Sequence, residues 1–410
     1  MAEPERLDVL LADGAEPRRV ARLLDTGAGP YLEYDADFLG ERLELAPLAL
    51  PVRRAVFEPG PRYLYRLRGL VADSIPDGFG LKVLHQALRT AGRDPFAASP
   101  LQLLSAIGER GMGALVYRPV DALWGAPGEL PTLPHLAADA ARVEADDLTE
   151  VPDALRRTAG SSAGARPKVT VALAADGRVR EATQPLRPGF RHVLVKFRGS
   201  ADPAEQVALE SAYLRMAAAA GLEVPASETV SLGGGAHALV LDRFDRDGDA
   251  RRHVQTLAAL LEIDFRNDLV DYAHLLDAVR RLTRDFTEVT RALRLAAFNV
   301  FARNRDDHAK NVSFVMAPSG AWRLAPAYDL TWGGEAGYHA MSVAGESRSP
   351  SVADLERLGR TAGLDAPQVR VVIDEVRAAI AQWDRWAEAA EVPRAARRMV
   401  GASLVGSPRG

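Results

Sequence analysis

Apolar and polar positions follow two different periods along this chain, and the change from one to the other divides it. Between Val169 and Asp242 the apolar residues fall in short β-like runs: Val169 to Leu173, His192 to Phe197, Glu228 to Leu232 and Ala238 to Asp242. The last two runs are joined across Gly233, Gly234 and Gly235, a hairpin turn. Between the second and third runs, Glu205 to Ala220 is a strong helix former that stops at Gly221. Beyond His253 the apolar spacing becomes helical, over Tyr272 to Leu282, Val289 to Phe301 and Ala366 to Ala389. The first 119 residues mix short β-like runs with one helical pattern, Leu81 to Leu88, which follows the turn-prone Pro76, Asp77 and Gly78. From Val120 to Asp153 the chain is rich in Pro, Ala, Gly and acid, and Gly125 to Pro131 reads as a linker with little core of its own. The expected organisation is α+β: an accessory unit at 1–119, a linker at 120–153, a sheet-based unit at 154–252 and a helical unit at 253–410.

Composition sets bounds on function. With 410 residues and 47% hydrophobic content, the chain can bury one large core or two or three smaller ones. A net charge of −4 gives no global attraction to nucleic acid, although Arg251-Arg252 and Arg394 to Arg398 are local basic stretches. There is no cysteine, hence no disulfide and no thiolate metal site. No apolar run reaches bilayer length, and the first six residues lack the cationic-then-apolar start of an export signal, so no membrane partner and a cytoplasmic location are expected. Only four of the 51 Lys and Arg residues are lysines: Lys82, Lys168, Lys196 and Lys310. Arginine stands wherever a generic cation serves, which makes each lysine a candidate for a role needing a compact ammonium. Asparagine is as scarce, at Asn267, Asn299, Asn304 and Asn311.

The chemistry concentrates in Asn304 to Asn311 and Ala325 to Asp329. An aspartate five residues before an asparagine, with a second aspartate downstream on a separate short strand, suits a phosphotransferase that grips a nucleotide's Mg²⁺ and orients an acceptor hydroxyl. Asp306 is then the base or acceptor positioner, with Asn311 and Asp329 as oxygen ligands. The competing reading is a surface turn, which Asp and Asn also favour. Gly160 to Lys168 (GSSAGARPK) is a loop of small residues whose backbone can approach phosphate, followed by a lysine that can neutralise it. It lacks Walker A spacing, and a flexible hairpin entry is its plainer reading. Lys196 closes an apolar strand before a helix carrying Glu210, the placement of a lysine that contacts α/β-phosphates while a carboxylate fixes its direction. Glu210 reads equally well as a solvated helix glutamate. Strand, strand, helix and hairpin are also the plan of a kinase small lobe.

Gly160-Ser161-Ser162-Ala163-Gly164 also matches the G-x-S-x-G nucleophile elbow, with Ser162 attacking an ester or amide and Asp306 or Asp329 completing a triad with His339. An elbow needs a strand before the serine and a helix after it. Here Pro167 and the β-like Val169 to Leu173 follow, so the hydrolase is the weaker reading.

Taken together, SSAGARPK (Ser161 to Lys168), HVLVKF (His192 to Phe197), LDRFDR (Leu241 to Arg246), RDDHAKN (Arg305 to Asn311) and LAPAYDL (Leu324 to Leu330) resemble the HipA-type toxin kinases of bacterial type II toxin–antitoxin systems. LLSAIGERGMGAL (Leu103 to Leu115) resembles the end of that family's accessory subdomain, so the likeness covers most of the chain. It implies a bilobal protein-kinase-like fold with an amino-terminal accessory subdomain, ATP and Mg²⁺ as cofactors, and serine/threonine kinase activity that inhibits growth. The loop matching Ala163, Gly164, Ala165, Arg166, Pro167 and Lys168 covers ATP, and Lys196 contacts its phosphates. Asp242, Arg243 and Phe244 match the hinge beside the adenine. Asp306 matches the catalytic base, His308 and Tyr328 lie near the nucleotide, and Asn311 and Asp329 bind magnesium. Ser161 matches a serine that relatives autophosphorylate to switch themselves off, with Ser162 its neighbour. The resemblance also implies a HipB-like helix-turn-helix antitoxin, contact with DNA only through it, and a protein substrate such as an aminoacyl-tRNA synthetase or another translation factor. A catalytically silent relative acting through an antitoxin complex is the alternative. Two positions depart from the family pattern: Arg166 replaces a glutamine and Asp242 a hinge glutamate.

Overall fold

The computed structural model describes residues 6–125, 128–146, 151–159, 164–334 and 336–405. The chain forms two compact units, 1–202 with 227–255 and 317–320, and 203–226 with 256–316 and 321–410.

The first unit contains two five-stranded sheets. One is made by β1 (Arg6–Leu11), β2 (Arg18–Asp25), β3 (Pro30–Tyr34), β4 (Val56–Phe57) and β5 (Leu115–Arg118), in the order β4-β3-β2-β1-β5. The same segment carries α1 (Gly78–Thr90) and α2 (Pro100–Ile107), and α2 packs against β1 and β5. A reciprocal capping box of Ser99 and Gln102 starts α2 and satisfies two otherwise orphaned backbone donors. The other sheet consists of β6 (Lys168–Ala174), β7 (Val179–Glu181), β8 (Phe190–Lys196), β9 (Ser227–Gly233) and β10 (Ala236–Asp242), ordered β7-β6-β8-β10-β9. Its central strands β6, β8 and β10 carry apolar runs, and every residue of β6 is buried. Gly233, Gly234 and Gly235 all take positive φ, the backbone that the β9–β10 turn demands.

The 120–153 stretch is not the coreless linker its composition suggests. It carries α3 (Leu133–Glu144), whose Leu133, Leu136, Ala140 and Val143 fall on one buried stripe, and Trp124 before it is buried with its indole N–H given to the Ala106 carbonyl. Helix α4 (Asp153–Ala159) leads towards β6 and packs against it.

The second unit is helical. Helix α5 (Gln206–Ala219) is buried on nearly every side and belongs to this unit rather than to the sheet that precedes it in sequence. Gly221 follows at φ +80, where a Cβ would come within 3.0 Å of the Arg294 guanidinium that caps the Ala220 carbonyl. Helices α6 (Tyr272–Thr283) and α7 (Phe286–Phe301) start at the aspartate caps Asp271 and Asp285. Helix α7 packs against both α6 and α9 (Ala366–Ile380), and α8 (Val352–Thr361) lies on the same cluster. The segment expected as one helix over 366–389 is two. It breaks after Ile380, and α10 (Trp383–Ala389) turns back so that the Trp386 indole donates to the Ala379 carbonyl at 2.8 Å. Tyr213 of α5 is buried edge-on to Trp383, and its hydroxyl donates to the Ala302 carbonyl at 2.7 Å, fastening α5 to the end of α7. Among the described residues no helix is long and apolar enough to cross a membrane.

Candidate active site

The expected site residues fall in both units, and each group has its own geometry. In the first unit, Gly160, Ser161, Ser162 and Ala163 lie outside the described residues. The loop is described from Gly164, which takes φ +104. Its N–H donates to the Asp77 carboxylate, and its carbonyl accepts from the Phe79 N–H at 3.1 Å. A Cβ on Gly164 would collide with the Lys168 ammonium, so that ammonium is folded directly over the loop backbone. Ala165 follows, and the Arg166 Nε–H is then shared by the two Asp202 carboxylate oxygens at 2.9 and 3.1 Å, an ion pair that anchors the base of the loop. Beside it, the Pro167 carbonyl accepts from the Phe197 N–H.

Lys168 and Lys196 stand directly opposite each other on β6 and β8, so their side chains leave the same face of the sheet. Both residues are only 4% exposed. A lysine ammonium is a compact cation of the kind that can sit against phosphate. Glu210 is buried on α5, not solvated. At the end of β10, the Asp242 carboxylate receives Arg191, and the Arg243 N–H donates to the His192 carbonyl at 3.1 Å. The Arg243 guanidinium forks onto Asp245, and Phe244 lies between these two residues. Burial, and then the cations Arg243 and Arg246, push the His192 imidazole down to about 4, so it is neutral at physiological pH.

In the second unit, the chain leaves α7 and turns at Arg303 in the left-handed region. Asp306 follows with its side chain 62% exposed, and His308 Nε2 stands 3.6 Å from its Oδ1. Asn311 spends its Nδ2–H₂ on the Asp306 carbonyl at 2.8 Å. Its Oδ1 is then the amide atom left for a cation. Tyr328 donates its hydroxyl to the Lys310 carbonyl at 3.0 Å and takes the Ser313 hydroxyl at 2.6 Å, so this ring ties the 325–329 segment to the end of the 304–311 loop. Asp329 takes φ +53, a conformation rare outside glycine and concentrated at functional positions. It does not lie on a strand as expected. The short strand Trp322–Leu324 ends before it, and the chain from Ala325 is irregular.

Motif reading missed the support under this loop. Asp307 is fully buried: its Oδ2 accepts from the Tyr272 hydroxyl at 2.8 Å and pairs with His339 Nδ1 at 2.9 Å, while its Oδ1 accepts from the Ala340 N–H at 2.8 Å. Behind Tyr272, Asn299 donates to the hydroxyl and Asn304 donates to Asn299, which makes a one-directional relay into the carboxylate. Two of the four scarce asparagines are therefore structural. His339 is committed to Asp307 rather than to Asp306 or Asp329, which removes the histidine the hydrolase reading requires.

For magnesium, no group of three or more His, Cys, Asp or Glu side chains that could hold a metal occurs among the described residues. Mg²⁺ takes one or two protein oxygens and fills its octahedron with phosphate and water. The Asn311 amide oxygen and the Asp329 carboxylate are donors of that hard type.

The family model for the HipA N-terminal domain matches residues 7–118, and the model for the HipA-like C-terminal domain matches residues 160–383. "Putative kinase Y4mE" of Sinorhizobium fredii (strain NBRC 101917 / NGR234) is 29% identical over 277 residues, 62% of this chain. The chain spans 62% of the length of that curated relative. A chain of the Shewanella oneidensis MR-1 toxin–antitoxin complex of HipA, HipB and operator DNA superposes with a TM-score of 0.71 at 21% identity, covering 97% of this chain and 94% of that one. The fold is the kinase-like α+β fold of such proteins. With its carboxy-terminal match extending over more than half of its length, the chain belongs to the HipA family.

Proposed function

We propose that this chain is an ATP- and Mg²⁺-dependent serine/threonine protein kinase that restrains growth as a HipA-type toxin. The observation that carries this reading is the catalytic loop itself. It presents Asp306 to solvent, turns the Asn311 amide so that its oxygen remains for a cation, and rests on a buried aspartate. Bound Mg–ATP would supply the phosphoryl group and neutralise the charge that develops on it. Asp306 would accept the proton of the acceptor hydroxyl or hold that hydroxyl in line. Lys168 and Lys196 present compact cations to phosphate, and Asn311 and Asp329 would hold the metal. His308, beside Asp306, adds a donor at the same end of the loop.

The family likeness supports three further parts of the proposal: a HipB-like helix-turn-helix antitoxin as partner, DNA contact through that partner alone, and a translation factor such as an aminoacyl-tRNA synthetase as substrate. Incubation with labelled ATP and Mg²⁺, followed by phosphosite mapping on the protein and on a cell extract, tests the central claim. Failure to label either would sink the kinase reading.

Lys196→Arg keeps the charge but replaces a buried ammonium by a larger planar fork. The stabilisation that ATP gives in thermal melts should shrink sharply in this variant. Lys82→Arg is the control, since that ammonium is occupied by Asp146 and the Glu144 carbonyl. Equal ATP-induced shifts in the two variants would show that lysine retention has no bearing on nucleotide binding.

Self-inactivation at Ser161 is the last element of the proposal. Phosphorylation would add roughly 1.5 to 2 negative charges to a loop that must lie against the triphosphate, and repulsion would expel it. Arg166 is occupied by Asp202, so capture of the phosphate by this arginine would require that pair to open. Ser161→Ala should stay active longer than the unaltered protein under saturating ATP. Phosphate mapped to Ser162 alone, or undiminished ATP affinity after full modification of Ser161, would refute the switch.

A further inference from the structure

Asp245, Arg246 and the Gly111–Gly113 segment take no part in the chemistry proposed above, yet they form a buried, densely bonded polar cluster among the described residues of the first unit. Asp245 is wholly buried, and both carboxylate oxygens are used. Arg243 donates Nε to Oδ1 at 2.9 Å and Nη2 to Oδ2 at 2.6 Å, the Gly113 N–H donates to Oδ2 at 2.7 Å, and Arg246 adds a further bond to Oδ2. Arg246 reaches past the carboxylate to the Gly113 carbonyl at 3.0 Å and the Gly111 carbonyl at 3.4 Å. Arg251 takes the Glu109 carbonyl at 2.9 Å. Gly113 sits at φ +76, where a Cβ would stand 3.1 Å from the Val254 nitrogen, so this close approach needs glycine. Burial alone would raise the Asp245 carboxyl, but Arg243 and Arg246 hold it well below the usual carboxylate range.

Burying three charges costs desolvation that apolar residues of the same volume would avoid. What the cluster provides in return is a fixed backbone at one place. Arg243 is held at its N–H by the His192 carbonyl, at its carbonyl by the Arg246 N–H at 3.2 Å, and at its guanidinium by Asp245. The segment from Asp242 to Phe244 is left little freedom to turn.

We infer that Asp245, Arg246 and Gly113 are positioning residues for nucleotide recognition: through them the amino-terminal segment sets the conformation of Asp242–Phe244 and so the affinity for the adenosine part of ATP. The inference rests on the kinase reading, with this segment beside the base. It separates the adenosine half of the ligand from the phosphate half, which is served by Lys168, Lys196 and the Gly164 loop.

The test measures binding of ATP, adenosine and Mg–tripolyphosphate to the full chain and to two variants by calorimetry. Asp245→Asn strands two buried guanidinium groups and risks unfolding. Arg246→Lys leaves the Asp245–Arg243 fork in place and keeps a cation, but gives up the guanidinium bonds to the Gly111, Gly113 and Asp245 carbonyls. The variants should bind ATP and adenosine about tenfold more weakly, with tripolyphosphate changed less than about twofold. Equal losses for all three ligands would overturn the inference, showing that the cluster supports the fold alone, as would undiminished adenosine binding in Arg246→Lys. Failure of the unaltered protein to bind ATP would instead overturn the kinase reading, and this inference with it.

Discussion

Asp306→Asn is expected to lower phosphotransfer by about 10²–10⁴-fold, the range for loss of a positioned general base, with ATP binding and thermal stability nearly unchanged. The side chain is 62% exposed, and the substitution replaces one carboxylate oxygen by an amide of the same shape. Substitutions at exposed positions of this kind usually stay within about 0.5 kcal/mol in stability. The backbone geometry of the loop is also preserved, because Asn311 bonds to the Asp306 carbonyl and not to its side chain. Single-turnover autophosphorylation with labelled ATP, run beside a thermal melt, checks both halves. Comparable labelling in variant and unaltered protein would remove Asp306 from the chemistry. Lost labelling together with a large drop in melting temperature would mean that the carboxylate is structural.

The two halves of the candidate site were legible to different degrees. Asp306 and Asn311 stand out as candidates because motif spacing is local, and Lys196 because lysine is scarce in this chain. The strands at 168–174, 190–196 and 236–242 were equally plain, since their apolar runs are short, β-branched and bounded by turns. Helix α5 was legible as a helix but not as a member of the second unit, because a helix buried on nearly every side shows no amphipathic face from which its surroundings can be read. Composition misled at 120–153. Pro, Gly and acid outweighed the spacing of Leu133, Leu136, Ala140 and Val143, which was the better signal. The single helical pattern over 366–389 concealed a break after Ile380, since Ala381 and Gln382 are good helix formers and the turn follows from how Trp383 and Trp386 pack. Asp307 could not have been told from Asp306 by spacing. Its three partners, Tyr272, His339 and Ala340, lie 32 to 35 residues away along the chain, and only the fold brings them to one carboxylate.

That contrast between adjacent aspartates gives the second large effect. Asp307→Ala should destabilise the protein by about 3–5 kcal/mol, because three buried donors lose one acceptor at about 1–3 kcal/mol each, whereas Asp306→Ala should cost almost nothing. The carboxylate of Asp307 has no exposure and accepts from a tyrosine hydroxyl, a histidine nitrogen and a backbone N–H. Each donor left unsatisfied in the interior costs about 1–3 kcal/mol. The relay from Asn304 through Asn299 to Tyr272 loses its final acceptor as well, so the loss spreads into α6 and α7. Tyr272→Phe is the graded form. It removes the hydrogen bond to the carboxylate, about 1.5–3 kcal/mol, together with the acceptor of the Asn299 amide, and leaves Asp307 with His339 and Ala340. Because these residues hold the backbone on which Asp306 is carried, the folded fraction of either variant should also lose phosphotransfer, with the smaller loss in Tyr272→Phe. Denaturant unfolding of the four proteins decides the matter: the unaltered chain and Asp306→Ala should share a midpoint, Tyr272→Phe should fall below it, and Asp307→Ala should fall furthest. An Asp307→Ala midpoint equal to that of Asp306→Ala would show that the buried carboxylate contributes nothing to holding the loop.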